Sequence, residues 1–243
     1  MNTQRMNEEE RFKEEAVKSF KDMQLFWSFT DKEINDVVSK ARIRKFRKNR
    51  TVLSEDDTNH YMYIILKGRV KVVQMTEDGK EVILAVHRSG ESFGEVSLID
   101  GKTIRASVVA IEDSVIADIA KKDYIFLVMN NKKMLENLLS ILCVRLRESW
   151  DKIQMLSLAS ASARMKMLLQ LLSEEHGRKT PEGVAVNIRL THQDIANMTG
   201  ISRETVTRIM DKWHKDGEIG IIENRRILLK HDFIRGDLKW INR

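Results

Sequence analysis

The chain has 243 residues, 42% of them hydrophobic and 32% charged, with a net charge of +6 and a single cysteine, Cys143. That length can support two domains with separate cores, and no apolar run approaches the ~20 residues needed to span a bilayer. One cysteine rules out an internal disulfide and a cysteine-rich metal or iron–sulfur cluster within one chain, and the charged start (MNTQRMNEEERFKEE) has no apolar leader, so a cytoplasmic location is expected.

Residues 1–23 read as a charged N-terminal arm or an exposed helix. Residues 24–130 read as a β-rich domain. Tyr61–Leu66 is a strand-like run ending at Gly68, and Val70, Val72 and Val73 belong to the next. Asp78-Gly79 then separates that run from Glu81–Val86, a hairpin signal. Further short runs at Ala106–Ile111 and Ser114–Ile119 favour a small antiparallel sandwich or barrel.

From 131 to 159 the chain reads as one long helix. Leu135, Leu139, Leu142, Leu146, Ser149, Ile153 and Leu156 recur in alternating steps of four and three, a heptad seam. Such a seam packs either against its own copy in a second subunit or against the β domain of its own chain; the dimer is the favoured reading. Ser160-Ala161-Ser162-Ala163 reads as a hinge into a further helix reaching about Glu175. Gly177, Pro181 and Gly183 mark turns, and Gly217, Glu223-Asn224 and Arg226–Leu229 suggest a small β wing closing a domain over 160–243.

Within that last region, residues 190–209 (LTHQDIANMTGISRETVTRI) carry the strongest functional signal. Thr191 can cap a first helix with Asp194 as its reciprocal partner, Gly200 supplies a tight turn, and Ser202 caps a second helix starting at Arg203. Helical spacing sends Val206, Ile209 and Met210 to a core and leaves Arg203, Glu204, Thr207 and Arg208 outward. Guanidinium forks suit guanine edges and a carboxylate suits the cytosine amino group, so this set fits the major groove. Thr191 and His192, at the start of the first helix, can touch phosphate or simply cap. Residues 178–243 carry 13 Lys+Arg against 9 Asp+Glu, which places most of the net positive charge where DNA would sit.

A β-rich front, a dimer-type helix and a C-terminal helix-turn-helix together resemble the CRP/FNR family of transcription regulators over roughly residues 24–235. Ser202–Arg208 is similar to the family's recognition helix. Gly90–Gly101 (GESFGEVSLIDG), followed by Arg105-Ala106-Ser107, is similar to its phosphate-binding cassette. The resemblance implies an α+β fold: a cyclic-nucleotide-binding-type β-roll (a double-stranded β-helix), a dimerisation helix and a winged helix-turn-helix. It implies a cyclic nucleotide, cyclic AMP favoured, as effector, held by Gly94, Glu95, Val96, Ser97, Arg105 and Ala106. In this pattern Glu95 accepts from a ribose hydroxyl and Arg105 forks a phosphate, while Ser149 falls where cyclic-AMP-binding members meet the purine. Read without the family, Glu95 and Arg105 are an ordinary ion pair pinning a hairpin, and Ser149 is a polar residue bonding back to its own helix. The sequence departs from the pattern at Ala106, where a hydroxyl residue is expected, and at Asp56, where a turn glycine is expected.

The function expected is a non-enzymatic homodimer that binds double-stranded DNA at an inverted repeat with TGTGA-like half-sites and acts with RNA polymerase, away from any membrane. A regulator with haem, another small molecule or no effector is the alternative. A cupin-like metal enzyme is disfavoured, because His60 and His87 lie too far apart for a ligand set and no metal is expected.

Overall fold

The computed structural model describes residues 14–55, 57–103, 106–222 and 226–235. The chain divides into two compact units, residues 1–147 and 148–243, each treated separately below.

The first unit starts with helix α1 (14–21), a short 3-10 turn Gln24–Phe26 and α2 (Asp31–Lys40), whose N-terminus is closed by a Thr30–Glu33 capping box. Among the described residues eight strands follow: β1 (Arg42–Phe46), β2 (Thr51–Leu53), β3 (Tyr61–Lys67), β4 (Arg69–Met75), β5 (Glu81–Arg88), β6 (Ser92–Phe93), β7 (Ser107–Ala110) and β8 (Ser114–Ala120). Helix α3 (Glu95–Asp100) lies between β6 and β7; α4 (Lys121–Asn130) and α5 (Lys132–Ser157) follow β8. The strands make two antiparallel sheets, ordered β1-β8-β3-β6 and β2-β7-β4-β5.

Strand β3 shows why the two sheets and the helices form one body. Its pleat sends Tyr63 and Ile65 into the space between the sheets, where they meet Val52, Val70, Phe93, Val108 and Ile116. Phe93 stacks on Tyr63 with ring centroids 4.8 Å apart. Met62 and Ile64 point the other way and join Ala117 and Ile119 of β8 beneath the helices. A strand buried on both faces reads as a continuous apolar run, as YMYIIL does.

The helical layer corrects the reading of residues 14–23 as part of a charged arm or exposed helix. Ala16, Phe20 and Met23 are buried in the same cluster as Phe26, Ile34, Tyr124, Met134 and Leu138, and Phe20 stacks on Phe26 at 5.0 Å. Ala16 and Phe20 lie one turn apart on α1, and Met23 follows just beyond its end. On α5, Met134 and Leu138 go to this core, while Leu139, Leu146 and Ile153 are 54%, 51% and 63% exposed. Leu135 and Leu156 are exposed as well, and Leu142 is half-buried.

In the second unit, α6 (Ala161–His176) precedes the hairpin β9 (Gly177–Thr180) and β10 (Gly183–Val186). Helices α7 (His192–Thr199) and α8 (Arg203–Lys215) are followed by β11 (Ile219–Ile222), β12 (Arg226–Lys230) and α9 (His231–Arg235). The expected hinge at Ser160–Ala163 is displaced: only 158–160 leave the helical path. Ser160 caps α6 by accepting from the Ala163 amide at 3.0 Å, so Ala161–Ala163 already belong to the helix. The wing is part of a four-stranded sheet, β11-β12-β10-β9, in which β9 and β10 stand where only turns were read. Glu223 and Asn224, which the sequence assigns to the wing, lie outside the described residues. Gly183 allows this sheet to close: its φ is +146°, and a Cβ there would come within 1.9 Å of the Leu229 carbonyl oxygen.

Replacing Phe20 by Ala should cost about 3–5 kcal/mol, as loss of a fully buried ring does. The same change at exposed Trp27 should cost far less. Urea unfolding monitored by circular dichroism measures both, and equal small losses would mean that α1 does not belong to the core.

Candidate functional sites

The effector cassette is built on a left-handed turn. Gly94, with φ +96°, caps α3, and a side chain there would run into Asn59 and the Tyr61 carbonyl. Asn59 secures the turn from below: its Nδ2 donates to the Gly94 carbonyl at 2.9 Å and to Ser97 Oγ at 3.0 Å. Ser97 in turn donates to the Gly94 carbonyl at 3.2 Å. Gly94, Glu95 and Ser97 are therefore held together, whereas Val96 is exposed.

Glu95 is 2% exposed, and α5 supplies its counter-charge. The Arg145 guanidinium donates through Nη1 to Glu95 Oε1 and through Nη2 to the Ser92 carbonyl. Glu95 Oε2 is buried and has no partner among the described residues. The Tyr124 hydroxyl, close enough to feel both charges, is also buried without a partner among them. Burial pushes the Tyr124 phenol well above its usual range; the Glu95 charge adds to the shift and Arg145 opposes it.

Arg145 is the residue that sequence reasoning missed. A signal existed: Met134, Leu138, Ile141 and Arg145 follow at steps of four, three and four, which places a cation on the core-facing stripe of α5. Arg105 lies outside the described residues. Ala106 is buried, and Ser107, the next hydroxyl, accepts from the Glu55 amide at 3.1 Å. Ser149 is exposed on α5, in the second unit. Among the described residues no group of three or more His, Cys, Asp or Glu is placed to hold a metal.

The second site is the helix pair α7–α8. Thr191 and Asp194 form the reciprocal capping box, with the Thr191 amide and hydroxyl both donating to Asp194 Oδ2, at 2.8 and 2.6 Å. Gly200 ends α7 in the left-handed region, and Ser202 caps α8 by accepting from the Thr205 amide at 3.2 Å. Val206 and Met210 are buried, Ile209 is half-buried, and Trp213 packs edge-on against Phe233 at 5.0 Å. Arg203, Glu204 and Arg208 are exposed along one face. Thr207 is half-buried beside them, bonded to His192 of α7.

A β domain with a glycine-turned cassette, followed by a helix pair with a charged outer face, is the layout of a DNA-binding regulator. Residues 43–131 match the cyclic nucleotide-binding domain, and residues 164–232 match the Crp-like helix-turn-helix domain. The chain is 31% identical over 175 residues to the cAMP-activated global transcriptional regulator CRP of Pasteurella multocida, which covers 71% of this chain and 83% of that one. It is 28% identical over 217 residues to the cyclic AMP receptor protein of Thermus thermophilus, covering 87% and 97%. A solved CooA variant from Carboxydothermus hydrogenoformans superposes with a TM-score of 0.69 at 25% identity, covering 80% and 86%. The chain belongs to the CRP/FNR family of transcription regulators, and is a DNA-binding regulator rather than an enzyme. No helix among the described residues is long and apolar enough to cross a membrane.

Replacing Arg145 by Met should cost about 3–5 kcal/mol, because it strands the buried Glu95 carboxylate. Adding Glu95→Gln should recover most of that loss. Chemical denaturation of the two variants checks this, and a double variant no more stable than the single one would show that the pair does not act as a unit.

Proposed function

We propose that the protein is a homodimeric regulator whose β domain takes a cyclic nucleotide, with cyclic AMP the first candidate. Its two α8 helices then read an inverted repeat with TGTGA-like half-sites, with RNA polymerase as the partner on DNA. The observation that carries the effector reading is the buried Glu95 Oε2, an acceptor beside a glycine turn with no partner among the described residues. A ribose hydroxyl donates to such an oxygen, and backbone amides around Gly94 suit a phosphate. In this reading Arg105 supplies the fork for two phosphate oxygens. The names of two relatives, a cyclic AMP receptor protein and a cAMP-activated regulator, support it.

The dimer reading rests on α5. Leu135, Leu139, Leu146, Ile153 and Leu156 form an exposed apolar stripe at heptad spacing, with half-buried Leu142 and the polar Ser149 in register. A two-fold axis along that stripe presents two α8 helices to successive major grooves. Arg203 and Arg208 read guanines, and Glu204 accepts from cytosine.

A second reading, a non-nucleotide effector such as haem, is favoured by one observation. Ala106 brings no hydroxyl to the phosphate position, and Ser107 is engaged by the Glu55 amide. An absorption spectrum of the purified protein separates the two, since a Soret band identifies haem.

Titration with cyclic AMP, cyclic GMP and cyclic di-GMP, read out as DNA binding, should give a response to cyclic AMP in the wild type. Arg105→Leu should abolish nucleotide binding while leaving the melting temperature unchanged; unaltered affinity by calorimetry would remove Arg105 from the site. Leu146→Glu should shift the protein from dimer to monomer in analytical ultracentrifugation, and a persistent dimer would refute the α5 stripe as the interface. Arg208→Ala should weaken a cognate duplex by about 1–3 kcal/mol and relax the preference at one base pair. Uniform weakening across all sequences would make Arg208 a phosphate contact.

A further inference from the structure

Thr207 sits in the middle of the outward face of α8, between the longer side chains of Arg203, Glu204 and Arg208. Its hydroxyl is turned into the protein. Thr207 Oγ1 lies 3.0 Å from the Arg203 carbonyl, to which it donates, and 2.8 Å from His192 Nδ1 at the start of α7. A threonine hydroxyl carries one proton and two lone pairs. With its proton on the Arg203 carbonyl, it accepts from a protonated Nδ1. In the other imidazole tautomer, its proton goes to Nδ1 or to the carbonyl. In either tautomer the proton stays inside the protein, so Thr207 has none to donate to guanine O6 or N7, adenine N7 or thymine O4. Two protein partners fix the rotamer and engage the proton and at most one lone pair, so the side chain can offer a groove only its Cγ2 methyl and an acceptor lone pair, never a donor.

We propose that Thr207 is an apolar reader that selects thymine through its C5-methyl group, and that His192 is the positioning residue that holds it in this role. The inference rests on α8 being the base-reading helix. It assigns the two residues different work from their neighbours: the arginines and Glu204 make hydrogen bonds to base edges, whereas Thr207 contributes a short methyl-to-methyl contact of the kind thymine alone offers among the four unmodified bases. His192, for which the sequence leaves phosphate contact or simple capping open, acts here through the recognition helix.

The test starts from a duplex selected by the full-length protein from a random pool. Each thymine of the selected half-site is then replaced by deoxyuridine, which removes only the methyl group. The wild type should weaken about fourfold at one position, the value of burying one methyl. Thr207→Ser, which keeps the hydroxyl and lacks the methyl, should bind thymine and uracil equally there. Thr207→Val, which keeps a methyl and lacks the hydroxyl, should retain the discrimination. His192→Leu should bring the thymine-to-uracil ratio at that position towards one and leave the other positions unchanged. Melting temperatures check that each variant folds. The inference is overturned if no uracil-sensitive position loses its sensitivity in Thr207→Ser, or if Thr207→Val loses discrimination as Thr207→Ser does. An unchanged ratio in His192→Leu overturns the role given to His192. A wild type that selects no sequence from the pool overturns the reading of α8 itself, a separate and recognisable result.

Discussion

The buried pair of Glu95 and Arg145 is the constraint around which the first unit is organised. A carboxylate taken out of water is costly unless its charge is met and its lone pairs are used. Here the counter-charge comes from Arg145, 50 positions later in the chain, on the long helix α5. The guanidinium also takes the Ser92 carbonyl, so one side chain fastens α5 to the strand before the cassette and to the helix after it. Within the cassette the left-handed glycine and the serine on the first turn of α3 are local, while Asn59, 35 positions before Gly94, ties both to the loop before β3. Glu95 Oε2, without a partner among the described residues, therefore stands on a rigid base. A ligand that engages it also touches, through one carboxylate, the cation that docks the long helix.

The second unit depends on a different kind of control, exercised by short-range caps. The Thr191–Asp194 box, Gly200 and Ser202 fix where α7 ends and α8 begins without reference to the rest of the chain. Buried Val206 and Met210 then set the roll of α8. Those two constraints leave Arg203, Glu204 and Arg208 with no alternative to facing outward.

This difference explains what the sequence disclosed. The helix-turn-helix was legible residue by residue, because caps and turn glycines act over three or four positions. The hairpin at Asp78-Gly79 was legible for the same reason. Arg145 was not singled out, because its meaning lies in a partner 50 residues away. Helix α1 was misread because three apolar residues, Ala16, Phe20 and Met23, are scattered among charges that dominate the composition. Strands β9 and β10 were passed over because four-residue strands beside Gly177, Pro181 and Gly183 carry too little alternation to separate them from their turn. The α5 stripe was visible as a pattern; its exposure within one chain is something only the structure adds.

The burial of Phe20, Met23 and Phe26 bears on how the sensing half can be isolated. The cyclic nucleotide-binding match opens at residue 43, inside β1, after α1 and α2 have already been laid down. A fragment cut at that boundary would keep both sheets and α4 but lose Ala16, Phe20, Met23, Phe26, Ile34, Val37 and Val38 from the shared cluster, opening part of that core to water. Such a piece would be prone to aggregate for reasons unrelated to its ligand. The lead-in helices that the family boundary leaves out are part of the sensor's own core.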